Sequence, residues 1–231
     1  EAAEAEYKRD SASVDAARSR VAQAQARVEK AESKLEISKQ YLARETRVQK
    51  SRVVDLREDG DVTVLDVNAD HLATVIAKLR ACGVEVETMG NRIRAAATNG
   101  FKGIDVSTMP YPGFPTDLQA QMMTMLCVAD GASIIKETVF ENRFMQVTAL
   151  RRMGAEIELD GNTAVVRGVK ALSGAPVMAS DLRASAALVI AGLIAQRGET
   201  AVSRVYHIDR GYERIEERLR ALGADIRRIR E

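Results

Sequence analysis

Two short strings in this 231-residue chain set a hydroxyl residue and an acid directly ahead of an apolar run: Thr116-Asp117-Leu118 and Ser180-Asp181-Leu182. A carboxylate is one of the side chains that can serve as a general acid or base. It can equally cap a helix or sit in the favourable field of its first turn. The two acids lie 64 residues apart, from 117 to 181, and both strings read as capped helix starts within a repeated element. Other chemistry is sparse. Cys82 precedes a glycine and Cys127 lies in an apolar run, and two cysteines are too few for a disulfide framework. Both therefore read as inert core residues. The sequence offers no paired Cys/His spacing of the zinc-binding kind, no glycine-rich Walker loop and no His-Glu-x-x-His, so no metal site is expected.

Composition narrows the class. Hydrophobic residues make up 46% of the chain, enough for a buried core. Lys and Arg number 34 against 33 Asp and Glu, a balance with no strong field to recruit nucleic acid or anionic membrane. No stretch approaches the roughly 18 consecutive apolar residues of a membrane span, and the N-terminus lacks a signal-peptide core. A soluble protein of the reducing cytosol is expected.

The elements that must carry the two acids follow from pattern. Residues 1–59 contain neither Gly nor Pro, whereas all 15 glycines and all four prolines lie beyond, which sets a boundary near Gly60. Within the front piece Tyr7, Val14, Val21, Val28, Leu35 and Leu42 recur every seventh residue, accompanied by Ala17, Ala24, Ala31 and Ser38. This heptad predicts a coiled-coil helix with a narrow seam, which buries too little apolar area to stand alone. A helical partner or self-association through residues 7–45 is expected. The segment is also similar to one arm of the helical hairpins in HlyD-type periplasmic adaptors; a generic coiled coil and an engineered helical fusion are open alternatives.

From about Val62 the pattern becomes α/β, with alternating runs such as Val84-Glu85-Val86 and Ile157-Glu158-Leu159 between helical stretches. Leu79-Arg80-Ala81-Cys82-Gly83-Val84, Leu150-Arg151-Arg152-Met153-Gly154-Ala155 and Leu219-Arg220-Ala221-Leu222-Gly223-Ala224 share one plan: helix end, Gly turn, strand. Their leucines lie 71 residues apart, from 79 to 150, and then 69, from 150 to 219. Strands at Ser133-Ile134-Ile135 and Ala201-Val202-Ser203 complete a unit of helix, strand, helix and strand pair. The end at Leu79 lacks an Asp-Leu helix upstream, so residues 60–231 are expected to hold two complete units and about half a third.

Three segments carry a family resemblance: Phe114-Pro115-Thr116-Asp117-Leu118-Gln119-Ala120-Gln121, Glu137-Thr138-Val139-Phe140-Glu141-Asn142-Arg143-Phe144 and Tyr206-His207-Ile208-Asp209-Arg210-Gly211-Tyr212-Glu213-Arg214. With Leu172-Ser173-Gly174-Ala175 and Ser180-Asp181-Leu182-Arg183-Ala184-Ser185 between them, in this order, the region from Val62 onward resembles the C-terminal part of the UDP-N-acetylglucosamine 1-carboxyvinyltransferases, a family of enolpyruvyl transferases. The resemblance implies repeated βαβαββ units of an inside-out α/β barrel, here incomplete. It implies transfer of enolpyruvyl from phosphoenolpyruvate to the 3'-hydroxyl of UDP-N-acetylglucosamine through a tetrahedral ketal, without metal or cofactor.

The same resemblance supplies roles. Asp117 matches a sugar-facing aspartate that accepts or orients the hydroxyl proton, and Asp181 an aspartate that helps proton transfer at the methylene carbon. Arg143, Arg183 and Arg210 match cleft arginines, whose planar guanidiniums suit phosphate and carboxylate. Arg210 is the first candidate for phosphoenolpyruvate contact. Val139 and Phe140 match positions lining the nucleotide-sugar site, partly through backbone, although a Val-Phe pair after a strand is also a common core feature. His207 matches a cleft-side histidine of open role. The family's reactive-cysteine domain has no counterpart here, so the chain alone is expected to be inactive. Three readings stand: a partial transferase, a weak nucleotide-sugar-binding module, and a coiled-coil interaction protein.

Overall fold

The computed structural model describes residues 60–96 and 100–229 in full, the backbone of 52–57, and two exposed helical positions, Gln23 and Gln25. The rest of the heptad segment and its expected association lie outside the described residues. The chain divides into two compact units, Glu1–Gln49 and Lys50–Glu231.

The second unit is built of repeats. In the first, β1 (Arg52–Arg57), β2 (Asp61–Leu65), β3 (Glu85–Met89) and β4 (Arg92–Ala96) form an antiparallel sheet in the order β1-β2-β4-β3, with α1 (Ala73–Ala81) joining β2 to β3. The strand β1 falls within the stretch assigned to the heptad helix on its lack of Gly and Pro. That criterion does not separate a helix from a strand, and Val53-Val54 carries the β-branched signal.

The second repeat is complete. β5 (Val106–Ser107), α2 (Gln119–Leu126), β6 (Ala132–Lys136), α3 (Val147–Arg152), β7 (Glu156–Asp160) and β8 (Thr163–Arg167) follow in βαβαββ order. Their sheet runs β5-β6-β8-β7, parallel at β5-β6 and antiparallel elsewhere. The third repeat has β9 (Pro176–Met178), α4 (Leu182–Ile194), β10 (Ala201–Ser203), α5 (Tyr206–Asp209) and α6 (Ile215–Ala221), with β9 and β10 parallel. The strand pair expected after it is not formed among the described residues: 225–229 leave the Gly223 turn without entering a sheet.

All three helix-end turns use one device. Gly83, Gly154 and Gly223 take φ of 94°, 96° and 84°, the left-handed region where a Cβ is costly. The amides of Val84, Ala155 and Ala224 donate back to Leu79, Leu150 and Leu219. Arg80, Arg151 and Arg220 each fork Nε and Nη2 onto one carbonyl across the turn, of Val86, Ile157 and Ile226.

Helices α2 and α4 lie inside. Ala184 through Val189 of α4 are six consecutive buried residues, as expected of a helix that is apolar all round. α2 packs on it, and Thr124 Oγ1 reaches Ala187 O at 3.4 Å. Around them Met123, Leu126, Ile135, Leu150, Val166, Leu172 and Leu188 form the main core. A smaller cluster of Val67, Ile76, Val86 and Ile93 serves the first repeat, and Leu79 packs against both. The sheets turn one face to these cores: in β6 Ser133 and Ile135 are buried while Ala132, Ile134 and Lys136 are exposed.

Candidate functional site

Asp117 lies in the single 3-10 turn Thr116–Leu118 that leads into α2, entered from Pro115 in extended conformation. Neither this turn nor α2 has a side-chain cap, so the capped start expected here does not form. The reason is competition for the polar groups. The Thr116 hydroxyl donates to Glu137 Oε2 at 2.8 Å, and the Asp117 carboxylate is taken by two arginines. Arg183 Nε donates to Oδ1 at 2.7 Å, and Arg143 Nη2 stands 3.0 Å from the same oxygen. The acid is 14% exposed, the two arginines 22% and 29%. Two guanidiniums on one carboxylate leave an excess of positive charge beside a solvent-reachable acid, a combination that suits an anionic ligand bearing a hydroxyl.

Arg143 is oriented from three sides. Its Nη1 donates to Thr116 Oγ1 at 2.7 Å, and its guanidinium carbon lies 4.4 Å from the centroid of the Phe140 ring. Asn142, at φ 61°, makes the reversal between the two, in a region asparagine tolerates. Phe140 is 50% exposed, so the core alternative fails for it. Val139 is half-buried. The amides of Val139 and Phe140 donate to Glu137 Oε1 at 2.9 and 3.1 Å and are therefore occupied within the chain.

Asp181 is the cap it was read to be. Its Oδ1 accepts from the amides of Arg183 at 2.9 Å and Ala184 at 3.0 Å, and Ser180 Oγ donates to Oδ2 at 3.2 Å. The cap fixes the first turn of α4, from which the Arg183 side chain reaches across to Asp117. Arg210 follows α5, is exposed, and makes no ion pair among the described residues. Its neighbours locate it. A Cβ added to Gly211 would lie 2.8 Å from Leu182 Cδ2, so this backbone backs directly onto the start of α4. Tyr212 accepts a hydrogen bond from Gln121 Nε2 of α2 at 3.3 Å. These contacts bring the Arg210 backbone beside the two helix starts that carry Asp117 and Arg183. The His207 ring lies 4.3 Å from that of Tyr206.

Glu137, Thr116 and Thr108 were missed, although a signal existed for the first: period two along β6 continues the buried set Ser133 and Ile135 to Glu137. Cys82 and Cys127 are fully buried, and burial pushes both thiols up, that of Cys127 to about 12.

The βαβαββ repeats packed over the buried helices α2 and α4 have the fold of solved enolpyruvyl transferases. The chain belongs to the EPSP synthase (3-phosphoshikimate 1-carboxyvinyltransferase) family, whose model matches residues 56–219. Among its relatives, the UDP-N-acetylglucosamine 1-carboxyvinyltransferase of Magnetococcus marinus is 61% identical over 171 residues, covering 74% of this chain and 41% of that protein. The enzyme of the same name from an Anaeromyxobacter species is 62% identical over 169 residues, 73% of this chain and 40% of its own. The enolpyruvyl transferase NikO of Streptomyces tendae superposes with a TM-score of 0.67 at 28% identity, covering 73% of this chain and 40% of its own. The EPSP synthase of Acinetobacter baumannii, at 0.52 and 18%, covers 75% of this chain and 41% of its own and shares the fold. The chain thus spans about two fifths of the length of these curated relatives. No helix among the described residues is long and apolar enough to cross a membrane.

Proposed function

We propose that this chain is part of a UDP-N-acetylglucosamine 1-carboxyvinyltransferase of peptidoglycan synthesis, working in the cytosol. The observation that carries the reading is the junction of Asp117 with Arg143 and Arg183, beside the exposed Phe140 ring and with the Arg210 backbone near the same helix starts. In this reading the Asp117 carboxylate receives or orients the proton of the 3'-hydroxyl as its oxygen bonds to the central carbon of phosphoenolpyruvate. Arg210 holds the phosphoenolpyruvate anion, and Arg143 and Arg183 offset charge on the phosphate groups and on the ketal. Asp181 assists proton transfer at the methylene carbon through Oδ2, since Oδ1 is committed to the helix cap. The bond from the ketal carbon to phosphate then breaks as the methyl group made by the addition gives up one proton, and the enol ether forms. Val139 and the Phe140 ring border the nucleotide sugar.

Half a cleft forfeits contacts and preorganisation, so the 231-residue chain by itself binds weakly and does not turn over. Calorimetry with UDP-N-acetylglucosamine and, separately, shikimate 3-phosphate tests the assignment. Millimolar-range binding of the first alone is expected, weakened about tenfold by Asp117→Asn, the scale of one charge-assisted hydrogen bond. Phosphate release from the two substrates should stay at background. Preference for shikimate 3-phosphate, or no heat with the nucleotide sugar, would overturn the substrate; release at the rate of a complete enzyme would overturn the inactivity.

A further inference from the structure

Glu137 closes β6 on its inward face and is 1% exposed. Four donors converge on its carboxylate. Thr108 Oγ1 at 2.8 Å and the amides of Val139 at 2.9 Å and Phe140 at 3.1 Å meet Oε1, while Thr116 Oγ1 at 2.8 Å meets Oε2. No arginine or lysine pairs with it among the described residues. A carboxylate buried without a cation is costly unless fixed donors satisfy it, and here they do.

We infer that Glu137 is a positioning residue, which sets the Arg143 guanidinium of the proposed substrate site by dictating the direction of the Thr116 hydroxyl. A hydroxyl has one proton. Thr116 gives its proton to Glu137, so its lone pairs face Arg143, whose Nη1 donates to them at 2.7 Å. From that anchor Nη2 reaches Asp117 Oδ1. Were the hydroxyl reversed, its proton would oppose the guanidinium, donor against donor. The relay from Arg143 through Thr116 to Glu137 therefore needs a group at its end that only accepts. The same carboxylate ties down the Val139-Phe140 amides, and so the ring over which the guanidinium lies. One buried group thus orients Arg143 through both the hydroxyl and the ring.

Glutamine has nearly the shape of glutamate and cannot do this. Turned either way, its amide NH2 meets a donor: the Thr108 hydroxyl and two backbone amides on one side, the Thr116 hydroxyl on the other. The inference rests on the proposed function only in assigning Arg143 to a substrate. The orientation itself needs no ligand to be measured.

The test is the nitrogen-proton spectrum of the Arg143 side chain, assigned by its loss in Arg143→Lys. A guanidinium locked by hydrogen bonds shows resolved, slowly exchanging Nη protons, and a released one shows a single averaged signal. Resolved signals are expected in the wild type and in Thr116→Ser. The averaged signal is expected in Glu137→Gln with the backbone spectrum still dispersed. Glu137→Asp, which keeps the acceptor, should restore part of the resolved signal. A folded Glu137→Gln protein with Arg143 still locked overturns the inference. Should that variant fail to fold, Thr116→Val decides: a locked Arg143 there overturns the relay, and an averaged one supports it. Nucleotide-sugar titration separates the two ideas. Loss of affinity in Glu137→Gln matching that in Arg143→Lys supports both, whereas a wild type that binds nothing removes the function and leaves the Arg143 signal to judge the positioning.

Discussion

Burial raises both thiol pKa values, and with Cys127 at about 12 only about one molecule in ten thousand carries its thiolate at pH 8. Both cysteines should therefore resist a thiol reagent in the native chain, Cys127 reacting about a thousandfold more slowly than free cysteine, and both should label at once in urea. Prompt native labelling of Cys127 would mean that α2 opens readily, and with it the turn holding Asp117. Residue types alone could foresee this silence, because a cysteine in an apolar run is a small hydrophobe. They could not separate Asp117 from Asp181. Both sit between a hydroxyl and a leucine, yet Asp181 turns back onto its own helix amides while Asp117 reaches arginines 26 and 66 positions away, at 143 and 183. Local sequence encodes the first choice. The second depends on which helix starts are packed side by side, and only the family resemblance pointed to it.

At the scale of elements, the segment 225–229 is held without a sheet. Arg220 fastens the Ile226 carbonyl, and Arg228 forks onto Asp209 at 2.6 and 2.9 Å and reaches Glu216 at 2.8 Å. The Arg228 guanidinium holds both carboxyls below their ordinary values of 3.8 and 4.5. Lowered acid pKa values mean stability present at neutral pH and lost as pH falls through them. These pairs are partly exposed and solvent-screened, so their contribution is about 1 kcal/mol. Arg228→Ala should accordingly speed hydrogen exchange in α5 and α6 at pH 7, and the difference from wild type should vanish in acid, below the ordinary carboxylate range. Equal exchange at pH 7 would show that the latch holds nothing. Because Asp209 adjoins Arg210, the same measurement reports on how firmly that arginine's backbone is kept. Helix ends were legible here, since a glycine after Leu-Arg-x-x can only be a turn of left-handed φ. The arginine fork was not, because an exposed-looking arginine in a chain with 34 Lys and Arg carries no mark of a backbone acceptor six residues ahead.

For the whole molecule, the two apolar clusters share Leu79, so the repeats should melt as one body. Leu188→Ala, at 1% exposure in the central helix, is expected to cost about 2–5 kcal/mol. It should shift a single urea transition seen alike by amides of β3 and of α4; two separated transitions would show that the first repeat is stabilised on its own. The three helix ends with one turn recur at the leucine spacing, whereas the strand pair expected after the third is not formed among the described residues. The inward placement of α2 and α4 came from the resemblance, and the alanine-rich run of α4 is its trace in the sequence. Strand direction at the sheet margins stayed unreadable, since main-chain pairing is blind to side-chain identity. That blindness is visible in the finished molecule. The first sheet receives β1 antiparallel at the margin where the second receives β5 parallel, and the inner trio of strands is built alike in both. The trio keeps one pairing pattern whichever direction its marginal neighbour runs. That margin thus accepts a neighbour of either polarity while the register behind it stays the same.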